Sequence, residues 1–386
     1  MGKLERMAAR RFVAGIALAA LLAPAGCVLK SGESADFAGS SPDTWARALL
    51  ARDVDPAAVV NPIAFTPEMR DDADRLAGQG SVSKRLEALQ DGLFDASRFP
   101  FQYDSRGTFA AIEAYSERRG NCLSFTCLFI AMARSLGLDA RAAIPAYEGR
   151  SEREGDLVVV NTHVVATYGI SDSLLIFDFD RTRERRVVGA NMIDDLYLAA
   201  LYLNNLGVEH LRTGRYDVAI GQFETAIRLS PKLLAARGNL GVARRRAGDT
   251  EGALSTYQEA LEIEPRDPGI LGNLAALYRL QGLEREAEAA LTLASVASAS
   301  PYFLVVRADL ERGQGRPDKA LKLYRRAHRM DRKFADPLVG IAETELAQGH
   351  RRAARSAAYE ALAIEPGNAA ALRVLERLGE GGAPQP

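Results

Sequence analysis

The second half of the chain keeps a period of about 34 residues, and this period limits the fold more than any other feature. Ala219, Ala253, Ala287, Ala320 and Ala354 follow one another at spacings of 34, 34, 33 and 34. Glycines keep the same beat at Gly214, Gly248, Gly282, Gly315 and Gly349, and prolines close three of the units at Pro231, Pro265 and Pro366. A unit of this length is a helix pair that cannot bury its apolar face alone, so successive pairs must stack. The small residue lets paired helices approach closely, and the glycine takes the tight turn between them. Residues 199–376 are therefore expected to form an all-α solenoid of about five units, a surface for binding and not for catalysis. Residues 377–386 are expected to be a disordered tail.

Within the units, Leu206-Gly207, Ala219, Phe223 and Pro231 recur as Leu240-Gly241, Ala253, Tyr257 and Pro265. This pattern resembles the tetratricopeptide repeat, which implies a groove that takes a protein or peptide partner. Arg307-Ala308 replaces the Leu-Gly pair in the fourth unit, where looser packing is expected.

Residues 44–198 mix helical and strand patterns. Their most informative stretch is Arg119-Gly120-Asn121-Cys122, which opens an apolar run to Leu136. Apolar residues occupy nearly every face of that run, as in a buried central helix. Asn121 suits the N-cap, which puts Cys122 at the first helical position, and Leu136-Gly137 ends the helix. Unpaired N–H groups and the positive dipole end favour thiolate over thiol there, and the same groups could stabilise an oxyanion. A free cysteine is often only a small buried hydrophobe, a reading that suits Cys127. Cys122 and Cys127 lie about 140° apart around one helix, which disfavours a disulfide.

Of four histidines, His210, His328 and His350 lie in the repeats, leaving His163 for the first domain. It sits in the β-branched run from Leu157 to Tyr168, which reads as one strand. The segment from Leu174 to Phe179 reads as its partner across a four-residue loop, Gly169 to Asp172. That register sets His163 directly opposite Asp178, with Cβ atoms ~5 Å apart. Asp180, two residues along on the same face and opposite Asn161, is the rival acid.

Gly120-Asn121-Cys122, His163 and Asp178 resemble the transglutaminase-like superfamily over roughly residues 103–180. The resemblance implies a papain-like α+β fold in which Cys122 is the nucleophile, His163 the general base and acid, and Asp178 the orienting acid. His163-Val164-Val165 stands where the family carries His-Ala-Trp, and the only tryptophan, Trp45, is far upstream. No cofactor is implied. One histidine and two cysteines do not make a four-ligand zinc site, and Gly78 to Gly80 lacks the lysine and spacing of a phosphate-binding loop.

The start has another character. Lys3, Arg6, Arg10 and Arg11 precede twelve uncharged residues, Phe12 to Ala23. That run is shorter than the ~20 residues a membrane span needs and suits a signal peptide. Ala25-Gly26-Cys27 follows, which resembles a bacterial lipoprotein signal, with Pro24 where an aliphatic residue is usual. The expectation is a signal peptide over residues 1–26, lipidation at Cys27 and a flexible tether over 27–43. Val28 is not the aspartate associated with inner-membrane retention. The expected location is thus a bacterial cell envelope, at the outer membrane facing the periplasm. A formal net charge of -1, from 49 basic and 50 acidic residues, gives no electrostatic reason for a nucleic-acid partner. Nothing in the sequence sets the oligomeric state.

Two functions compete. One is a membrane-anchored, transglutaminase-like cysteine hydrolase or acyltransferase acting on amide bonds, with repeats that recruit a protein partner. The other is a non-catalytic envelope scaffold that binds partners through its repeats.

Overall fold

The computed structural model describes residues 42–145, 151–154, 157–160, 163–169, 174–179, 190–297 and 301–379. The expected signal segment, Cys27, nearly all of the tether, Asn161, Asp172, Asp180 and residues 380–386 lie outside them. The described residues fall into two compact units, one drawn from residues 25–150 and 160–256 and the other mainly from 257–386.

The first unit opens with α1 (Pro42–Leu50), α2 (Pro67–Ala77) and α3 (Val82–Leu93). Next come β1 (Gln102–Tyr103), α4 (Ala111–Glu117), β2 (Arg119–Gly120) and α5 (Cys122–Ser135). Twelve of the fourteen residues of α5 are buried, as its all-round apolar pattern requires. Strand β3 (Arg141–Pro145) follows; the pair β4 (Ser151–Glu154) and β5 (Leu157–Val160) comes next in the chain, its residues 151–159 grouping with the other unit, and β6 (Val165–Tyr168), β7 (Leu175–Phe177) and β8 (Ala190–Ile193) return to the first. A four-stranded sheet runs in the order β7-β6-β3-β8, antiparallel throughout. Period-two alternation gives this sheet two apolar faces. Ala142, Val164, Ala166 and Phe177 share the main core with α5, whereas Ala143, Val165 and Ile176 form a small second cluster. The Phe129 ring of α5 stacks on Phe177 at 4.7 Å, and Phe125 stacks on Phe94 at 5.0 Å.

Two strand expectations need correction. The run from Leu157 to Tyr168 is not one strand but β5 and β6, with His163 in the link between them. The β6–β7 pairs are Ala166↔Phe177, Thr167↔Ile176 and Tyr168↔Leu175. The connection therefore spans residues 169–174, and the register is displaced by two from the one read off the sequence. An even displacement keeps every side chain on its face. Asp178 becomes a diagonal neighbour of His163 instead of its direct opposite.

The repeats begin with α6 (Asp195–Arg212) and α7 (Tyr216–Leu229), followed by α8 (Leu234–Arg246) and α9 (Thr250–Ile263). Helices α10 (Pro268–Leu280), α11 (Glu284–Ala297), α12 (Pro301–Gly313), α13 (Pro317–Met330), α14 (Asp336–Ala347), α15 (Arg351–Ile364) and α16 (Ala369–Arg377) complete the series. All five periodic alanines are fully buried, and all five turn glycines have positive φ. At Gly207 a Cβ would stand 2.5 Å from the Phe223 ring, so the helices of the first pair meet where only hydrogen fits. The looser fourth unit is not seen, since Ala308 and Tyr324 are both fully buried. Leu378, in the expected tail, is buried against the last helices.

The boundary read at 198/199 falls inside α6. Leu196, Leu198, Leu201 and Leu203 of that helix belong to the same core as α5. Arg134 of α5 donates two hydrogen bonds to the Asp195 carboxylate, at 2.7 and 3.0 Å, with Asp195 buried and Arg134 largely so. The first repeat thus grows out of the α+β domain without a linker.

Candidate active site

The approach to Cys122 is fixed residue by residue. Arg118 ends α4 in the left-handed conformation, with φ 55°. Its guanidinium lies 3.5 Å from the Phe99 ring centroid and 4.4 Å from that of Tyr115, contacts that offset the backbone cost. Strand β2 then pairs in parallel with β1, Tyr103 beside Gly120. A Cβ at Gly120 would sit 2.4 Å from Ser124 Cβ, so glycine is required two residues before the helix start. Asn121 caps α5, its Oδ1 accepting from Ser124 N–H at 3.0 Å. Its Nδ2 donates to Thr108 Oγ1 at 2.8 Å, and Thr108 N–H donates to Glu209 Oε1 of α6 at 3.1 Å. Cys122 is the first helical residue, as the sequence predicts, and it is half-buried. The N–H groups of Cys122 and Leu123 lie ahead of the first intrahelical hydrogen bond.

His163 and Asp178 arrive from the open end of the β6–β7 hairpin. His163 Nε2 and Asp178 Oδ2 are 2.8 Å apart, with side-chain exposures of 23% and 9%. Cys122 stands close enough to the same imidazole to help hold its proton. With Nε2 on the carboxylate, Nδ1 is the nitrogen left for sulfur. Burial works against a charge on His163. The hydrogen bond to Asp178 and the nearness of Cys122, with the negative charge those groups can carry, outweigh it and raise the histidine to about 9. Sulfur, ring nitrogen and carboxylate are thereby brought to one place. The ring of Tyr103, which pairs with Gly120 across β1 and β2, and that of Phe179, next to Asp178 in the chain, stack at 4.2 Å.

Cys127 has a different environment. It is fully buried, and burial pushes its thiol well above the ordinary range. Among the described residues no group of three or more His, Cys, Asp or Glu could hold a metal ion, and no helix is long and apolar enough to cross a membrane.

Sequence reasoning missed two contacts. Thr126 Oγ1 donates to the Val164 carbonyl at 3.0 Å, and Gln90 Nε2 donates to the Asp178 carbonyl at 2.8 Å. Each is a polar residue at a buried phase of an apolar helix, and that was the available signal.

Comparison with known proteins agrees with this architecture. Residues 71–174 match a family model described as the transglutaminase-like superfamily, a span that holds Cys122 and His163. Residues 204–269 and 244–304 match tetratricopeptide-repeat models. No curated protein matches the chain. Among solved structures, PilF of Pseudomonas aeruginosa is 19% identical with a TM-score of 0.41, covering 47% of this chain and 85% of that one. TTC0263, a thermophilic repeat protein of Thermus thermophilus, is 23% identical with a TM-score of 0.39, covering 47% and 98%. PilW, a type IV pilus biogenesis factor, is 19% identical with a TM-score of 0.41, covering 48% and 88%. This chain carries a transglutaminase-like domain followed by tetratricopeptide repeats.

Proposed function

We propose that this protein is a cysteine hydrolase or acyltransferase acting on amide bonds through Cys122, His163 and Asp178. The observation that carries the reading is the single imidazole that pairs with the Asp178 carboxylate at 2.8 Å and stands beside Cys122 at the start of α5. In the reaction, the Cys122 proton passes to His163 while sulfur bonds to the carbonyl carbon of a peptide or isopeptide. The C–N bond then breaks, and His163 returns the proton to the leaving amine, leaving a thioester. Water, losing a proton to His163, adds to the thioester carbonyl. The C–S bond breaks, and the sulfur recovers the proton. An amine in place of water would give cross-linking, but hydrolysis is the default because no amine site stands out. The N–H groups of Cys122 and Leu123 are suited to the oxyanion. Asp178 orients the ring and balances its charge.

The N-terminal pattern extends the proposal to lipidation at Cys27 and attachment to a bacterial envelope, facing the periplasm. The repeats then recruit a protein or peptide substrate. Val165, at the place of the family's tryptophan, favours the second reading, a scaffold that binds without turnover.

An activity-based thiol probe on wild type and Cys122→Ala, across pH, separates the two. Labelling that persists below pH 7 and vanishes in Cys122→Ala supports the enzyme. A thiol unreactive up to pH 9 supports the scaffold. Labelling that survives Cys122→Ala sinks the assignment, because buried Cys127 is not expected to react.

A further inference from the structure

The ladder between β6 and β7 runs only from Tyr168↔Leu175 to Ala166↔Phe177. His163, Val164 and Asp178 lie beyond its last pair. Two side chains from separate helices reach that end. Thr126, one turn along α5 from Cys122 and 1% exposed, donates to the Val164 carbonyl; Gln90 of α3, 2% exposed, donates to the Asp178 carbonyl. Packing alone does not explain Gln90. It stands among the buried Leu86, Leu89 and Leu93, and its Oε1 is buried without a hydrogen-bond partner. A leucine there would avoid that desolvation cost.

We propose that Gln90 and Thr126 are positioning residues for the Cys122–His163–Asp178 site, holding by side chain the two backbone points that the ladder no longer holds. Thr126 and Cys122 are four apart on one helix and so share a face. The Thr126 bond thereby fixes the histidine's backbone relative to the sulfur, and the Gln90 bond fixes the acid's backbone relative to α3. This inference rests on the reading of the site given above.

The test is the titration of His163 in the full-length protein, followed by NMR with labelled histidine and assigned by loss of its signal in His163→Gln. In wild type the midpoint is expected near 9. Thr126→Val and Gln90→Leu should each lower it by at least about half a unit, roughly a threefold change in proton affinity. Thr126→Ser should restore it, with circular dichroism unchanged throughout. If a first variant unfolds, Thr126→Ala or Gln90→Met makes the same comparison. A wild-type midpoint near 6.5 would overturn the reading of the site and the positioning role with it. A high wild-type midpoint that both variants share would overturn the positioning role alone.

Discussion

At the scale of single residues, His163 gains more from its partners in the folded chain than it loses by burial, and this ties stability to pH. Its value rises from 6.5 to about 9 on folding. The stabilisation is therefore complete below pH 6.5 and is lost as pH climbs through about 9. Urea midpoints measured from pH 6 to 10 should fall across that window in wild type, and the fall should be much smaller in Asp178→Asn. Asn121 makes the other sharp prediction. Asn121→Ala removes the cap on Ser124 N–H and the donor to Thr108, at a cost of about 1–2 kcal/mol. Asn121→Asp keeps the cap, so in paired denaturant titrations it should lie between wild type and alanine. Cys122 and Asn121 were legible because a Gly-Asn-Cys turn before an apolar helix is a local signal. Gln90 and Thr126 were not, because their acceptors lie 88 and 38 residues away.

At the scale of elements, the helices were easier to read than the strands. The alanine and glycine periods are set by helix contact within each unit, and the structure keeps them at every repeat. The β6–β7 hairpin shows the contrary case. Hydrophobic alternation marks the face of a residue but not its register, because a shift by two leaves the alternation unchanged. Register then depends on where the turn begins, and the Gly-Ile-Ser-Asp-Ser-Leu run from Gly169 to Leu174 is compatible with several choices. Asp178 was identified for a geometry that is offset by two, and the even offset preserved the pairing with His163. Gly207 tests the helical side. Gly207→Ala would press a methyl to within 2.5 Å of the Phe223 ring, where both helices are well packed. A loss of about 1–3 kcal/mol is expected from such overpacking. Gly221→Ala, with open space around it, should be neutral or slightly stabilising in the same thermal melts.

At the scale of the whole molecule, the place where the α+β domain stops was hidden, because a repeat helix and a core helix share one sequence pattern. The period marks α6 as the first helix of a solenoid, yet its leucines are also the far wall of the core around α5. Burying Leu196, Leu198, Leu201 and Leu203 stabilises by about 6–12 kcal/mol in all, comparable with the whole net stability of a domain, about 5–15 kcal/mol. The Arg134–Asp195 pair adds a second tie, and breaking one side of a buried ion pair costs about 3–5 kcal/mol. A fragment cut at the 198/199 boundary would keep Leu196 and Leu198 only on a frayed end and lose the other two. Residues 42–198 are therefore expected to be aggregated or molten, with weak near-ultraviolet dichroism and no cooperative melt. Residues 42–264, which run to the end of α9, should fold and give one transition, and Asp195→Ala in that fragment should lower its Tm by several degrees. A cooperative, soluble 42–198 fragment would show that the site domain does not need the first repeat. Otherwise, a partner bound to α6 or α7 acts on the same folding unit that holds Cys122, through the Glu209–Thr108–Asn121 hydrogen bonds.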